Sequence, residues 1–270
     1  MRANASGRYD SIIMEKTRFG GIARLYGDKA ADYFTRCHIA VIGIGGVGSW
    51  VAESLARSGI GAITLIDLDD VCITNVNRQV HALTSTVNQS KVYTMYKRCL
   101  DINPDCQVRV IDEFVDTQNI PEIMSHDFDY VVEAIDAAVV KAALVRYCKR
   151  NKIPIICIGG AGGKVDPTQV QKQDLSKTWN DPLLAKVRSQ LRSYHGFSRN
   201  PKSSFGVECI YSPEQPKYPD GKGGMTQDKP SDGGGLDCTT GFGSITHITA
   251  TFAQFAVARV LEKLAQKAMK

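Results

Sequence analysis

The chain carries eight cysteines and not one Cys-x-x-Cys pair among them. Cys37, Cys72, Cys99, Cys106, Cys148, Cys157, Cys209 and Cys238 are scattered, several of them inside apolar runs. Structural zinc sites draw on closely spaced ligand pairs, and disulfide frameworks belong to small, cysteine-dense secreted chains. No zinc is therefore expected, and a reducing, cytoplasmic compartment is. Also missing is the run of ~20 apolar residues that a spanning helix needs. The C-terminal stretch 241–264 is apolar at its centre but carries Thr246, His247, Thr249, Thr251, Gln254 and Arg259. The opening Met1-Arg-Ala-Asn-Ala-Ser-Gly7 lacks an apolar core, so a secretory leader is not expected. Acid is scarce in one place only. Residues 141–202 hold 3 Asp and no Glu against 13 Lys and Arg, whereas residues 1–140 hold 18 acids against 13 bases and residues 203–270 hold 7 of each. The positive excess of the whole chain thus lies in its middle, which points to a polyanionic partner.

What is present is a nucleotide-binding signature. The apolar segment His38–Ile42 runs into Gly43, Gly45, Gly46 and Gly48, and a helix opens at Ser49. Glycines permit the tight turn and let backbone N–H groups approach a phosphate at a helix N-terminus, where the helix dipole favours negative charge. A second apolar segment, Ala62–Ile66, ends at Asp67, 19 residues beyond Gly48, where a mononucleotide-binding βαβ unit places an acid for ribose hydroxyls. The glycines alone do not separate NAD from ATP. Asp69, Asn75, Arg78 and Lys91 follow in one turn-rich segment. An Arg and a Lys there can neutralise a triphosphate and stabilise charge on an attacked phosphorus, which hydride transfer does not require. ATP is favoured.

The set Gly43-x-Gly-Gly-x-Gly48, Asp67-x-Asp69, Asn75-x-x-Arg78-Gln79, Lys91, Ile102-Asn-Pro104 and Ala134-Ile-Asp136 resembles the ubiquitin-activating-enzyme-like adenylyltransferases, from about Arg18 to Gly163 and again in the final helix. The resemblance implies roles residue by residue. Asp67 would hold the ribose, Asn75 and Arg78 the phosphates and Lys91 the triphosphate, while Asp136 would sit by a Mg²⁺. Catalysis would then fall to Arg78, Lys91 and Asp136, and a homodimer is implied. Two features depart from that family's pattern. The zinc cysteine pairs are missing, and the arginine pair that reaches into a partner's site reads Arg18-Phe-Gly-Gly21, with Arg24 as a substitute.

The middle segment narrows the resemblance. Asp181-Pro182 reads as an N-cap and first-turn proline, with Leu183, Leu184, Val187 and Leu191 on one helix face. Lys186, Arg188, Arg192, Arg199 and Lys202 surround Tyr194, His195 and Phe197. Basic side chains beside aromatics suit RNA phosphates and unstacked bases. A glycine-rich run (Gly159 to Gly163) and the closing Cys238-Thr-Thr-Gly-Phe-Gly-Ser-Ile-Thr246 complete a likeness to the tRNA threonylcarbamoyladenosine dehydratase branch, which is related to a protein associated with a cysteine sulfinate desulfinase. That branch implies tRNA as substrate, ATP-driven activation of a threonyl carboxylate, ring closure with loss of water, and a link to a cysteine desulfurase or sulfur-acceptor system. Cys238 is a candidate thioester cysteine only if the chain loads a protein partner.

The expected architecture is α/β. A Rossmann-like, mostly parallel sheet flanked by helices fills residues 1–163 after an N-terminal helical segment (11–34). Residues 164–270 hold the basic insert, a strand at 206–211, a mobile loop at 212–237 and a C-terminal helix. Strands are expected at 38–42, 62–66, 107–111, 130–135 and 153–158. Two other functions stay open at this point: an adenylyltransferase activating the C-terminus of a sulfur-carrier or ubiquitin-like protein, and an NAD-binding redox or regulatory module.

Overall fold

A computed structural model describes residues 18–228 and 243–270. Residues 18–26 are helical (α1), followed by α2 (Asp28–Phe34), β1 (His38–Ile42), α3 (Gly48–Arg57), β2 (Ala62–Ile66), α4 (Lys91–Ile102), β3 (Gln107–Ile111), α5 (Ile120–Ile123), β4 (Tyr130–Glu133), α6 (Ala138–Arg150) and β5 (Ile155–Ile158). The second half supplies β6 (Gln171–Asp174), α7 (Pro182–Tyr194), β7 (Glu208–Tyr211), a small hairpin β8 (Tyr218–Pro219) and β9 (Met225–Thr226), and α8 (Thr246–Ala268). The seven-stranded sheet runs in the order β3, β2, β1, β4, β5, β7, β6. All pairings are parallel except β6 with β7. The direction of winding reverses between β1 and β4, and in open parallel sheets that switch point is where a nucleotide lies, outside the carboxyl ends of the strands.

The central strands are buried on both faces, which is why they read as continuous apolar runs. Alternation then assigns each side chain to a layer. Ile39, Val41, Ile63, Leu65, Val132 and Ile156 pack in one core with α3, α4 and α8. Ala40, Ile42, Ile66, Val131 and Cys157 pack in the other, beneath α6 and α7. In α8 the buried residues Ile248, Phe252, Ala256, Val260 and Leu264 follow a four-residue repeat along one face. No helix among the described residues is long and apolar enough to cross a membrane.

The α/β expectation holds, with local corrections. β4 and β5 are shorter than the apolar runs that announce them: Ala134 to Asp136 turn away, and Ile153-Pro154 precede the paired residues, Pro154 contributing only its carbonyl, which accepts from the Val131 N–H at 2.8 Å. β6, whose sequence Gln-Lys-Gln-Asp shows no strand pattern, was not foreseen; it pairs antiparallel along the edge of β7. The segment 212–228, expected as part of a mobile loop, contains the β8–β9 hairpin; the remainder of that loop and Cys238 lie outside the described residues, as do residues 11–17 of the N-terminal segment. Arg18 donates to the Ile102 carbonyl of its own chain at 2.9 Å.

One buried ion pair anchors the end of β4. Glu133 and Lys141 are both fully buried and in direct contact. Burial pushes the Glu133 carboxyl up, and Lys141 opposes that. Lys141 also donates to the Ile158 carbonyl at 2.9 Å, and Glu133 accepts from the Ile135 N–H at 2.9 Å. A buried pair of this kind is held by its extra hydrogen bonds rather than by Coulomb attraction alone. Here those bonds tie the ends of β4 and β5 to α6 and fix the turn that presents Asp136.

Candidate active site

The glycine turn owes its shape to three backbones that nearly touch. Gly43 adopts φ 88°, and a Cβ there would stand 3.0 Å from the carbonyl carbon of Ala134 at the end of β4. A Cβ on Gly48 would lie 1.7 Å from the Gly43 carbonyl oxygen. Gly46 is closed by Thr249 of α8, 3.0 Å from where its Cβ would be. Gly45 differs: a Cβ there would meet only Gln79 Nε2, at 4.0 Å. Gly43 and Gly48 are thus required by the backbone, Gly46 is crowded by Thr249, and Gly45 leaves open space facing the helix N-terminus.

Asp67 follows β2 and is held from both sides. Its Oδ2 accepts from the Ile44 N–H at 2.6 Å and its Oδ1 from the Asp69 N–H at 2.9 Å. Burial raises this carboxyl, with Lys91 and the two amides opposing. Lys91, the first residue of α4, is 6% exposed and pairs with Asp69 at 2.6 Å. Asn75 is buried and closes a one-turn helix, accepting from the Cys72 N–H at 3.0 Å. Arg78 folds back onto the Thr74 carbonyl at 2.7 Å and Asn77 Oδ1 at 3.1 Å. Its own carbonyl accepts from Trp50 Nε1 and Thr249 Oγ1, each at 3.1 Å. Lys91 is therefore no solvated surface charge, and Arg78 retains further N–H donors beyond the two contacts made by Nη1. Asp136 is exposed, two residues past Ala134 and so beside the Gly43 turn. The expected nucleotide residues Gly43, Gly45, Gly46, Gly48, Asp67, Asp69, Asn75, Arg78, Lys91 and Asp136 all lie at the turn or on the connections leaving β2 and β4. Among the described residues no cluster of three His, Cys, Asp or Glu side chains is arranged to hold a metal by itself.

The basic set divides. Lys186, Arg199 and Lys202 are exposed. Arg188 turns inward to Thr178 Oγ1, and Arg192 stacks 5.3 Å from the centre of the Phe205 ring, which itself packs edge-on to Phe197. These two arginines, expected as RNA contacts, are partly committed to fixing α7. The run beginning at Gly159 also has a local cause. A Cβ on Gly159 would lie 2.3 Å from Asp181 Oδ2, and that carboxylate caps Leu184 of α7 at 2.8 Å while accepting from Gly160 at 2.9 Å.

A family model, the ThiF family, matches residues 21–270. The chain belongs to the ThiF family. This ThiF-family chain is 51% identical over 257 residues to the tRNA threonylcarbamoyladenosine dehydratase of Escherichia coli K12, covering 94% of this chain and 96% of that protein. It is also 51% identical over 250 residues to the protein of the same name from Haemophilus influenzae, covering 93% and 94%. Among solved structures, the Escherichia coli dehydratase in complex with ATP aligns with a TM-score of 0.84 and 50% identity over 94% of this chain and 96% of the other.

Several residues that shape this end of the sheet escaped the sequence reading. Thr249 and Trp50 carry the Arg78 backbone, and only the folded structure brings them there. Glu133 and Lys141 were visible in principle, as single charges inside apolar runs. His81 is buried with neither ring nitrogen partnered, and its imidazole is pushed down to about 4, first by burial and then by Lys91 and Arg98.

Two predictions follow from these groups. Gly45→Ala should unfold within ~0.5 kcal/mol of wild type yet bind ATP at least ~10-fold more weakly, because its methyl takes the phosphate's place. Gly48→Ala should lose stability and affinity together. Denaturant titration and calorimetry with ATP read both effects, and wild-type affinity in Gly45→Ala would put the phosphates elsewhere. For His81, the unfolded chain binds the extra proton between pH 6.5 and about 4, so stability is complete above that window and falls with pH through it. Wild type should lose about 2 kcal/mol between pH 7 and pH 5 that His81→Leu does not lose. Parallel urea-unfolding profiles for the two proteins would refute that.

Proposed function

We propose that this protein dehydrates threonylcarbamoyladenosine next to the anticodon of tRNA, using ATP to activate the threonyl carboxylate. One observation carries the reading: 51% identity to a tRNA threonylcarbamoyladenosine dehydratase over 94% of the chain. The site has the parts such chemistry needs. A carboxylate is a poor electrophile until one oxygen becomes part of a leaving group. The threonyl carboxylate oxygen attacks a phosphorus of ATP, and a phosphoanhydride bond breaks. The carbamoyl group of the same modification then attacks the activated carbonyl, and the carboxylate oxygen departs on the phosphorus. The lost water is thus divided between that oxygen and protons released to solvent. Because nucleophile and electrophile share one side chain, their effective concentration reaches ~10⁵–10⁸ M. No nucleophilic protein side chain is required, so Cys238 has no assigned step.

Asp67, accepting two backbone N–H bonds, has lone pairs left for ribose hydroxyls. Asn75 commits its oxygen to Cys72, which leaves its amide hydrogens for a phosphate. Arg78 and Lys91 stabilise the charge that grows at the attacked phosphorus, and Lys91 exchanges Asp69 for phosphate oxygens as ATP enters. Mg²⁺, when bound, supplies charge neutralisation on the phosphates. One exposed carboxylate at the turn, Asp136, fits an ion that takes most of its ligands from substrate and water. The exposed residues Lys186, Arg199 and Lys202 face the RNA. Exposed apolar side chains between β2 and α4, among them Ile73, Val76 and Leu83, favour a homodimer built on this connection. A cytoplasmic location and a link to a cysteine desulfurase or sulfur-acceptor system belong to the same reading.

The reading is tested by ATP turnover. Purified protein should consume ATP with tRNA that carries the threonylcarbamoyl group and not with tRNA that lacks it. Arg78→Ala and Asp136→Ala should each lower that turnover by at least ~10²-fold with the fold retained. Turnover driven instead by a carrier protein with a free C-terminus, or wild-type rates in both variants, would overturn it.

A further inference from the structure

A groove of about 850 Å³ opens at the end of the sheet opposite the glycine turn, where β4, β5 and β7 begin and α8 finishes. Strands of four to five residues separate it from the nucleotide site by ~15 Å. Five lysines line it: Lys149, Lys152, Lys172, Lys263 and Lys267. The three carboxylates on its wall are already engaged. Asp129 pairs with Lys267 at 2.9 Å. Glu208 is held by two nitrogens of Arg259, at 2.6 and 2.7 Å, so Lys172 approaches it only to 3.8 Å. Asp174 is occupied by the loop before β7, accepting from Ser204 Oγ at 2.6 Å and the Phe205 N–H at 3.0 Å. Lys149 reaches only the Gly206 carbonyl, at 3.1 Å. Among the described residues Lys152 and Lys263 have no carboxylate within ion-pair distance. Lys152 is also held at φ 57°, just past the end of α6, a position where glycine is the usual occupant.

We propose that this groove is a second contact for the substrate tRNA, taking backbone phosphates while the modified nucleoside lies at the switch point. The proposal rests on the tRNA reading above. Lysine ammonium groups on flexible stems suit phosphodiesters met without sequence selection, which position the nucleic acid rather than read it. Such a wall does not suit a small apolar ligand, whose pockets are mostly hydrophobic. The groove continues the exposed basic side chains of the insert: Asp174 fixes the loop that carries Arg199 and Lys202, and Gly206 of the same loop lines the groove. The charge excess of residues 141–202 thereby gains a purpose that α7 alone does not give it, since Arg188 and Arg192 are turned inward.

The test is tRNA binding by the full chain, measured by filter binding from 50 to 200 mM salt. The double variant Lys152→Gln/Lys263→Gln is compared with wild type and with Lys29→Gln/Lys97→Gln, which removes two exposed charges outside the groove. The groove variant should bind tRNA ~10-fold more weakly, with its salt slope reduced by about two. ATP affinity, and the dehydration rate at saturating tRNA, should stay at wild-type values. Equal weakening in the control variant, or an unchanged affinity and slope in the groove variant, would overturn the groove assignment while wild-type dehydration leaves the tRNA reading intact. Wild-type protein that neither binds nor converts tRNA would remove both.

Discussion

The tightest constraint in this molecule is the contact of backbone with backbone around Gly43 and Gly48. The first turn of α3 leans on the Gly43 carbonyl, and Gly43 leans on the end of β4, with no room for a methyl group on either glycine. That closeness sets where α3 begins. It brings the helix N-terminus to the carboxyl ends of β1 and β4 and creates the open space beside Gly45. Asp67, Lys91 and Asp136 are then distributed around that space by strand order alone. The helix α8, which closes the chain, contributes Thr249 to the same place by filling the room above Gly46.

Charge inside the fold is arranged around the same end of the sheet. Glu133 and Lys141 form a dry pair whose spare hydrogen bonds fix the turn before Asp136. Asp181 is buried where α7 starts and bonds to Gly160 beyond β5. Both of these carboxylates accept backbone N–H bonds, Glu133 in contact with Lys141 and Asp181 within the field of Lys164, the arrangement that makes such burial tolerable. Lys91 differs in having an exposed partner, Asp69, which phosphates can replace. A rigid frame thus carries, on the connection leaving β2, an ion pair with one exposed partner.

Much of this was legible in the sequence because glycines and buried parallel strands leave strong local marks. The first three strands fall on the residues their apolar runs indicate, and every residue that the motif marks lies at the switch point. What the sequence did not show shares a cause. β6 is a strand because the edge of β7 offers it hydrogen bonds, and no property of Gln171 to Asp174 announces that. Arg188 and Arg192 look solvent-facing on a helical wheel, but Thr178 and Phe205 reach them from other segments. Gly159 is made necessary by Asp181, a residue more than 20 positions away, and nothing in the local sequence announces it. Single charges within apolar runs, as at Glu133 and Lys141, were the one overlooked signal that the sequence did contain.

Belonging to the ThiF family establishes the frame, and the chemistry assigned to it turns on where the activated carboxylate resides. Nucleosides from tRNA incubated with the protein, ATP and Mg²⁺, digested mildly enough to preserve a labile ring, can be weighed by mass spectrometry. The account predicts loss of one water from threonylcarbamoyladenosine, and only with ATP present. An unchanged nucleoside, with ATP–pyrophosphate exchange still proceeding, would contradict it and place the carboxylate on another molecule.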